Sequence, residues 1–445
     1  MKRLVAFMMA CLLVLGSIFS GPVQTSAYDV PENMEWWAND KFGMFIHLGG
    51  YSYYAQGEWA MSEQKISKEK YQTTIAANFN PVNFNANEIV AAATGAGMKY
   101  IVITAKHHEG LSMWDTQVES FKDYTGTKMF SLQKYTPFGA TGRDILMELK
   151  NACDAAGIKF GLYYSIIDWN HSSQTIGQDF TTMASMEARD NYIKDMKAQL
   201  QELVTKYNPA VMWFDGDWTY NDKKATLKSW WTKSDGQDLY DYMKQLSPNI
   251  IVNERVCRKF NLADFNCPEQ TIPVEPMDRA WETCQTMNGA WGYKKSQEKS
   301  YYSTEIMLDK LVMVASREGN FLLNVGPKED GSLTSGSKKI LKGIGKWMAV
   351  NGDSIYGTTR NPFKADPSWG TYTQKGNTVY VHVQNWPKKG KLTVKRYKKK
   401  KLKSVTFMAK SGKKIKYTMK KKKVNLKLPK KAIDKKDTVI VMEYK

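Results

Sequence analysis

Cysteine is scarce in this chain, five residues in 445, and Cys11 sits in a leader-like stretch, leaving Cys153, Cys257, Cys267 and Cys284. That is too few for a disulfide scaffold in a chain of this size. Cys153 falls on the apolar face of a helical pattern and reads as a buried thiol. Cys257 and Cys267 are near enough in sequence to bridge a loop, but their spacing does not require it. Histidine is equally rare, five residues, and no Cys-x-x-Cys occurs, so neither a structural zinc site nor any other metal or cofactor is expected. No Gly-x-Gly-x-x-Gly follows an apolar run, which argues against a dinucleotide site. A second long apolar run is missing too, so no membrane span is expected beyond the first residues.

Acidic residues all but vanish near the C-terminus. From Lys388 to Lys445 there are 24 Lys plus Arg against 3 Asp plus Glu (Asp434, Asp437, Glu443), a balance of +21. The whole chain is +20, so everything before Lys388 sums to −1. This basic tail is not disordered sequence. Residues 378–383, 404–408, 424–428 and 438–442 read as strands separated by turn-forming Lys, Gly and Pro clusters. The pattern predicts a small antiparallel β-sandwich over 358–445 with lysines on its solvated face. Solubility and edge protection account for the lysines as well as adhesion to an anionic surface does. Nucleic acid is not expected, because aromatics are not interleaved with the basic runs.

At the other end, Lys2 and Arg3, an apolar stretch from Leu4 to Phe19, and Thr25-Ser26-Ala27 before Tyr28 read as a secretory signal over residues 1–27. The mature chain is expected to be secreted or associated with the cell surface.

Between these ends the chemistry is concentrated at strand ends. Trp213-Phe214-Asp215-Gly216 closes an apolar run with one carboxylate and then a glycine. Residues 42–47, 100–108, 160–165, 250–255 and 321–327 repeat the pattern of an apolar run ending in polar or aromatic groups. Helical spacing over 87–97, 144–157, 186–207, 238–246 and 305–316 separates them. Non-alternating strands with helices between them predict a parallel sheet buried on both faces. About six such units suit an α/β chain folded as an irregular (β/α)8-like barrel over 28–357. Catalytic groups of such barrels sit where the strands end.

His47, His107 and His108 lie at those ends. Adjacent histidines on a strand point to opposite faces, which disfavours a shared metal ion. Neutral imidazoles suit hydrogen bonding to sugar hydroxyls, since each ring donates from one nitrogen and accepts on the other. Tryptophans and tyrosines cluster in the same regions, and an aromatic face beside polar groups matches a sugar ring. Glycoside hydrolysis needs a second carboxyl group. The candidates are Glu269, placed by Pro268 on a loop, and Glu282, both in an irregular stretch expected to fold over the rim.

KFGMFIHLGGYSYYAQGEW, KYIVITAKHHEGLSMWD, GLYYS, VMWFDG, NERV, DFNCPEQ, WETCQTMNGAWGY and GNFLLNVGPKEDG occur in that order. Over about residues 35–357 they resemble α-L-fucosidases of glycoside hydrolase family 29. The resemblance implies a (β/α)8-like barrel with a C-terminal β-sandwich and a retaining hydrolase acting on fucosylated oligosaccharides or glycoconjugates. Asp215 is then the nucleophile and Glu269 the acid/base, with Glu282 second choice. His47, His107, His108, Tyr164, Trp213 and Arg255 match fucose-binding positions, with Glu58 and Trp59 beside the pocket. The acid needs a raised pKa, and Trp281 and Trp291 are expected to supply the apolar pocket lining that raises it. The chain departs from the family at Leu48, where tryptophan commonly follows the histidine, a change expected to alter one pocket wall.

Overall fold

The computed structural model describes residues 28–175, 181–363, 365–397, 400–410 and 413–445. The leader sequence lies outside the described residues. Seven parallel strands form one curled sheet: β1 (Phe42–Ile46), β2 (Tyr100–Lys106), β3 (Lys159–Ser165), β4 (Val211–Asp215), β5 (Ile251–Val252), β6 (Glu282–Gln285) and β7 (Asn320–Val325). Their spatial order is β5-β4-β3-β2-β1-β7-β6. All of their residues are buried except Lys159 at the start of β3, which is why the sequence shows no polar alternation.

The two edges do not pair directly. The extended segment 264–270 lies between them: Asp264 N donates to Val252 O and Glu254 N to Phe265 O on one side. On the other, Asn266 N donates to Ala280 O, and Glu282 N to Asn266 O. This irregular eighth stave carries Glu269 to the barrel mouth.

Six long helices cover the sheet: α1 (Ala86–Ala96), α2 (Ile145–Ala156), α3 (Met186–Tyr207), α4 (Lys233–Leu246), α5 (Thr304–Ser316) and α6 (Ser335–Asn351). Each starts behind an Asn, Asp, Ser or Thr whose side chain accepts from a first-turn backbone N–H: Asn85, Asp144, Ser185, Thr232, Ser303 and Thr334. Such caps contribute about 1 kcal/mol each. Strand alternation then sorts the side chains. Ile101, Ile103, Leu162, Tyr164, Met212 and Phe214 pack outward in the core shared with the helices. Phe45, Val102, Tyr163, Val211, Trp213 and Leu322 fill the barrel interior.

The C-terminal domain has two antiparallel sheets built from β8 (Gly370–Lys375), β9 (Thr378–Val383), β10 (Lys391–Lys395), β11 (Leu402–Phe407), β12 (Lys416–Lys420), β13 (Lys423–Lys427) and β14 (Thr438–Tyr444). One sheet runs β8-β9-β14-β11 and the other β10-β13-β12, around a shared apolar core. Trp347 of α6 joins this domain to the barrel, donating from Nε1 to Asp437 O at 2.9 Å. Asp437 also accepts from buried His382, Nδ1 to Oδ2 at 2.7 Å. The four described cysteines are buried free thiols, Cys257 and Cys267 included. No described helix is long and apolar enough to cross a membrane.

Candidate active site

A cavity of about 250 Å³ opens where the barrel strands end. Asp215 is the last residue of β4 and points inward with Val211 and Trp213, four and two residues before it. Gly216 follows at φ +90°, and a side chain there would press on the Ile167 backbone nitrogen at 2.9 Å, so the turn past Asp215 requires glycine.

The sequence Asn253-Glu254-Arg255 builds the opposite wall, one residue per task. The Asn253 side chain clamps β4 by accepting from Phe214 N at 2.7 Å and donating to Phe214 O at 2.9 Å. Glu254 accepts from Cys267 N at 2.7 Å and also binds the Asn266 side chain, fixing the eighth stave. Arg255 spans the two candidate carboxylates. Its Nη1 donates to Asp215 Oδ1 and its Nη2 to Glu269 Oε2, both at 2.9 Å. The Asp215 carboxylate is enclosed, whereas the Glu269 side chain is 43% exposed at the mouth.

Burial alone would push the Asp215 carboxyl up. Arg255, then His108 and Arg258, outweigh it and hold the group at about 2. Asp215 is therefore ionised through the physiological range. Tyr163 Oη donates to Asp215 Oδ2 at 3.3 Å.

Burial holds His47 down at about 3, His108 at about 4 and His107 well below its ordinary value, so all three are neutral near pH 7. Their partners fix the tautomers. Ser165 Oγ gives its proton to Ile167 O at 2.6 Å and must accept from His108 Nδ1, also at 2.6 Å. Asn324 Nδ2 donates to Trp291 O, so its Oδ1 accepts from His47 Nδ1 at 2.7 Å. In both rings Nε2 is left as an acceptor, suited to a ligand hydroxyl.

The structure brings His47, His107, His108, Trp59, Trp213, Asp215, Arg255, Glu269 and Trp291 to one cavity. His107 and His108 both line it, with ring centroids 4.2 Å apart, because β2 ends at Lys106 and the chain turns at Gly110. Strand alternation therefore does not separate them, contrary to the sequence expectation. Among the described residues, no group of three His, Cys, Asp or Glu is arranged as a metal site.

Five further expectations are corrected. Tyr164 faces outward, where its hydroxyl donates to Gln199 Oε1 at 2.8 Å, and Tyr163 occupies the inward position instead. Glu282 is not on a rim loop. It starts β6 at the opposite end of the strands, buried under Trp213, accepting from Trp213 Nε1 at 3.1 Å and Tyr100 Oη at 2.5 Å. Burial raises it to about 7 despite those bonds. Glu58 does not line the cavity. Its buried carboxylate accepts from Gly292 N at 2.8 Å and so anchors the turn that presents Trp291. Trp281 donates to Arg317 O in the outer core, away from the cavity, and Leu48 is likewise buried in that core. The departure at Leu48 leaves the cavity wall untouched.

Residues that the sequence reading did not assign to the site complete it: Phe45, Tyr163, Arg258 and Cys284, with Trp218 from the aromatic cluster. Arg258 Nη2 lies 3.1 Å from Asp215 Oδ1, and buried Asp217 holds this arginine by accepting from its backbone N at 2.7 Å and Nε at 2.8 Å. Only the crowding of charge in Asp215-Gly-Asp217 and Arg255-Val-Cys-Arg258 could have pointed to it.

A family model described as alpha-L-fucosidase matches residues 22–353, and one described as alpha-L-fucosidase C-terminal domain matches 361–442. Tissue alpha-L-fucosidase of Homo sapiens is 28% identical over 386 residues, covering 81% of this chain and 77% of that protein. An alpha-L-fucosidase of Dictyostelium discoideum is 28% identical over 431 residues, 88% of this chain and 87% of that protein. Among solved structures, alpha-L-fucosidase isoenzyme 1 from Paenibacillus thiaminolyticus superposes with a TM-score of 0.80 at 30% identity, covering 93% and 99% of the two chains. A family 29 fucosidase from Bacteroides thetaiotaomicron, captured as a covalent intermediate with 2-fluoro-fucosyl fluoride, gives a TM-score of 0.80 at 25% identity, covering 95% and 98%.

Proposed function

From the premise that this chain belongs to the α-L-fucosidase family of glycoside hydrolases, we propose that it releases terminal α-L-fucose from glycans with retention, using Asp215 as nucleophile and Glu269 as acid/base. The observation that carries this reading is the single guanidinium of Arg255 shared by the two carboxylates. Such a bridge suits the spacing of about 5–5.5 Å that retaining catalysis uses.

In the first displacement Asp215 attacks the anomeric carbon while protonated Glu269 gives its proton to the departing glycosidic oxygen. This forms a fucosyl ester on Asp215. In the second, Glu269 takes a proton from water, the water oxygen attacks the same carbon, and Asp215 leaves as carboxylate. Ionised Asp215 is ready for attack, and its exposure to Arg255 and Arg258 stabilises the charge that returns when the ester breaks. Glu269 releases Arg255 to reach the leaving oxygen, and its exposed position at the mouth favours that movement. The Nε2 atoms of His47 and His108 accept from sugar hydroxyls. Phe45, Trp213 and Trp291 give an apolar wall for a ring that carries a methyl group in place of hydroxymethyl.

The signal-like residues 1–27 support export, to the medium or the cell surface. The positive C-terminal domain supports a second contact with an anionic surface.

The test is hydrolysis of an aryl α-L-fucoside followed by NMR of the sugar as it first appears. Retention predicts α-fucose ahead of mutarotation. β-Fucose first, or binding with no release of sugar, contradicts the proposal.

A further inference from the structure

The sheet β10-β13-β12 turns a regular array of lysines to solvent. Strand pairing sets Lys391 opposite Lys427 and Lys427 opposite Lys416, so these three form one cross-strand row. Lys395, Lys423 and Lys420 form a second row by the same pairing. Between the rows run Thr393, Asn425 and Thr418, and Thr393 Oγ1 donates to Asn425 Oδ1 at 2.9 Å. All six lysines are exposed, while Leu392, Val394, Val424 and Leu426 point into the sandwich. Strand geometry puts the rows about 14 Å apart, each about 10 Å wide.

No acidic residue occurs between Asp366 and Asp434. Among the described residues, none of the six lysines has a carboxylate partner. Like charges directly opposite on neighbouring strands destabilise a sheet. Edge protection explains lysines on β12 and β10, but β13 is the middle strand and has no free edge to guard. Edge protection therefore leaves Lys423 and Lys427 unexplained.

We infer that this face docks a sulfated or carboxylated polysaccharide, the acidic part of the same glycans that carry the fucose. The inference rests on the proposed fucosidase function for its choice of carrier. Charge complementarity supplies the attraction, and the neutral Thr-Asn-Thr row offers hydroxyl and amide groups to a sugar backbone lying between the charged rows. A lipid surface fits less well, because the outward residues include no aromatic or aliphatic side chain to enter a bilayer. Single-stranded nucleic acid lacks the aromatic platforms it would stack on. Docking near the substrate raises its effective concentration at the cavity.

The test compares the full chain with the variant Lys416→Gln/Lys420→Gln/Lys423→Gln/Lys427→Gln. Binding is measured to immobilised heparin, used as a sulfated and carboxylated probe, and to vesicles of phosphatidylglycerol with phosphatidylcholine. Turnover of a small aryl fucoside is measured in parallel. The full chain is expected to bind heparin in a salt-sensitive manner, the variant at least about tenfold more weakly, and both to turn over the small substrate equally. Heparin binding unchanged in the variant, no heparin binding by the full chain, or binding to vesicles alone each overturns the inference. Loss of aryl fucoside turnover with heparin binding intact would instead strike the fucosidase reading.

Discussion

Arg255 Nη1 donates to Asp215 Oδ1 at 2.9 Å, and the same guanidinium lies over the Trp213 ring, 4.7 Å from its centroid. A buried carboxylate and a buried guanidinium thus neutralise one another at the base of the cavity. Removing Arg255 leaves Asp215 with Arg258 as its remaining guanidinium partner. Arg255→Met is expected to destabilise the fold by no more than about 3–5 kcal/mol, the scale for a buried pair broken outright. It should also raise the acid limb of kcat/KM against pH by about one unit or more, because the largest influence holding Asp215 at about 2 is gone. Thermal unfolding and a pH profile check both parts. An unmoved acid limb would show that Arg255 does not set the ionisation of Asp215.

The two glutamates should behave differently. Glu269→Gln is expected to lower kcat/KM for fucosides with poor leaving groups by about 10²–10⁴-fold, and for aryl fucosides with good leaving groups far less, since their bond cleavage needs no proton, while kcat falls for both because the water step loses its base. Glu282→Gln keeps the shape under Trp213 and should change kcat/KM by less than about tenfold, the scale of one neutral hydrogen bond. Measuring both variants on a leaving-group series decides it. Equal sensitivity in Glu282→Gln would return that residue to the chemistry.

Neighbouring tyrosines give a sharp contrast. Tyr163→Phe removes the hydroxyl 3.3 Å from Asp215 and should lower kcat with little change in melting temperature. Tyr164→Phe breaks the Gln199 bond in the outer core and should cost about 1 kcal/mol of stability with kcat unchanged. The opposite assignment would follow if β3 were rotated by one residue.

Glu109 provides a pH test of the histidine turn. Its buried carboxyl accepts from Gly50 N at 3.3 Å and Leu111 N at 3.1 Å, and burial raises it from 4.5 to about 8. A raised carboxyl favours the folded state below the unfolded value of 4.5, and that stability drains away as pH rises through about 8. Glu109→Gln is neutral throughout. The melting temperature of the variant minus that of the parent chain should therefore grow from pH 5 to pH 8. His47 and His108, depressed to about 3 and 4, act with the opposite sign and remove stability as pH falls from 6.5. Parallel melting curves for the two proteins would contradict the Glu109 assignment.

Much of this was legible in the chain. Six of the seven barrel strands and five of the six long helices stand out in the sequence, because buried runs end at polar groups and helices begin at capping residues. Strand β6 was hidden because four residues carrying Glu, Thr, Cys and Gln have no apolar pattern. Helix α6 escaped because lysines and three glycines interrupt its apolar face. The inward parity of β3 was undecidable from Phe160-Gly-Leu-Tyr-Tyr, since both faces of that strand are buried. Arg258 was invisible for a related reason: it follows short 3₁₀ turns, where sequence spacing predicts no common face, and only the fold brings it to Asp215.

The central claim is that Asp215 becomes covalently attached to fucose. Incubation with 2-fluoro-fucosyl fluoride, digestion and peptide mass spectrometry tests it most directly. The account predicts one added 2-fluorofucosyl group on the peptide containing Asp215, and none in Asp215→Gly. A label on another carboxylate, or turnover of the Asp215→Gly variant near the parent rate, would contradict it.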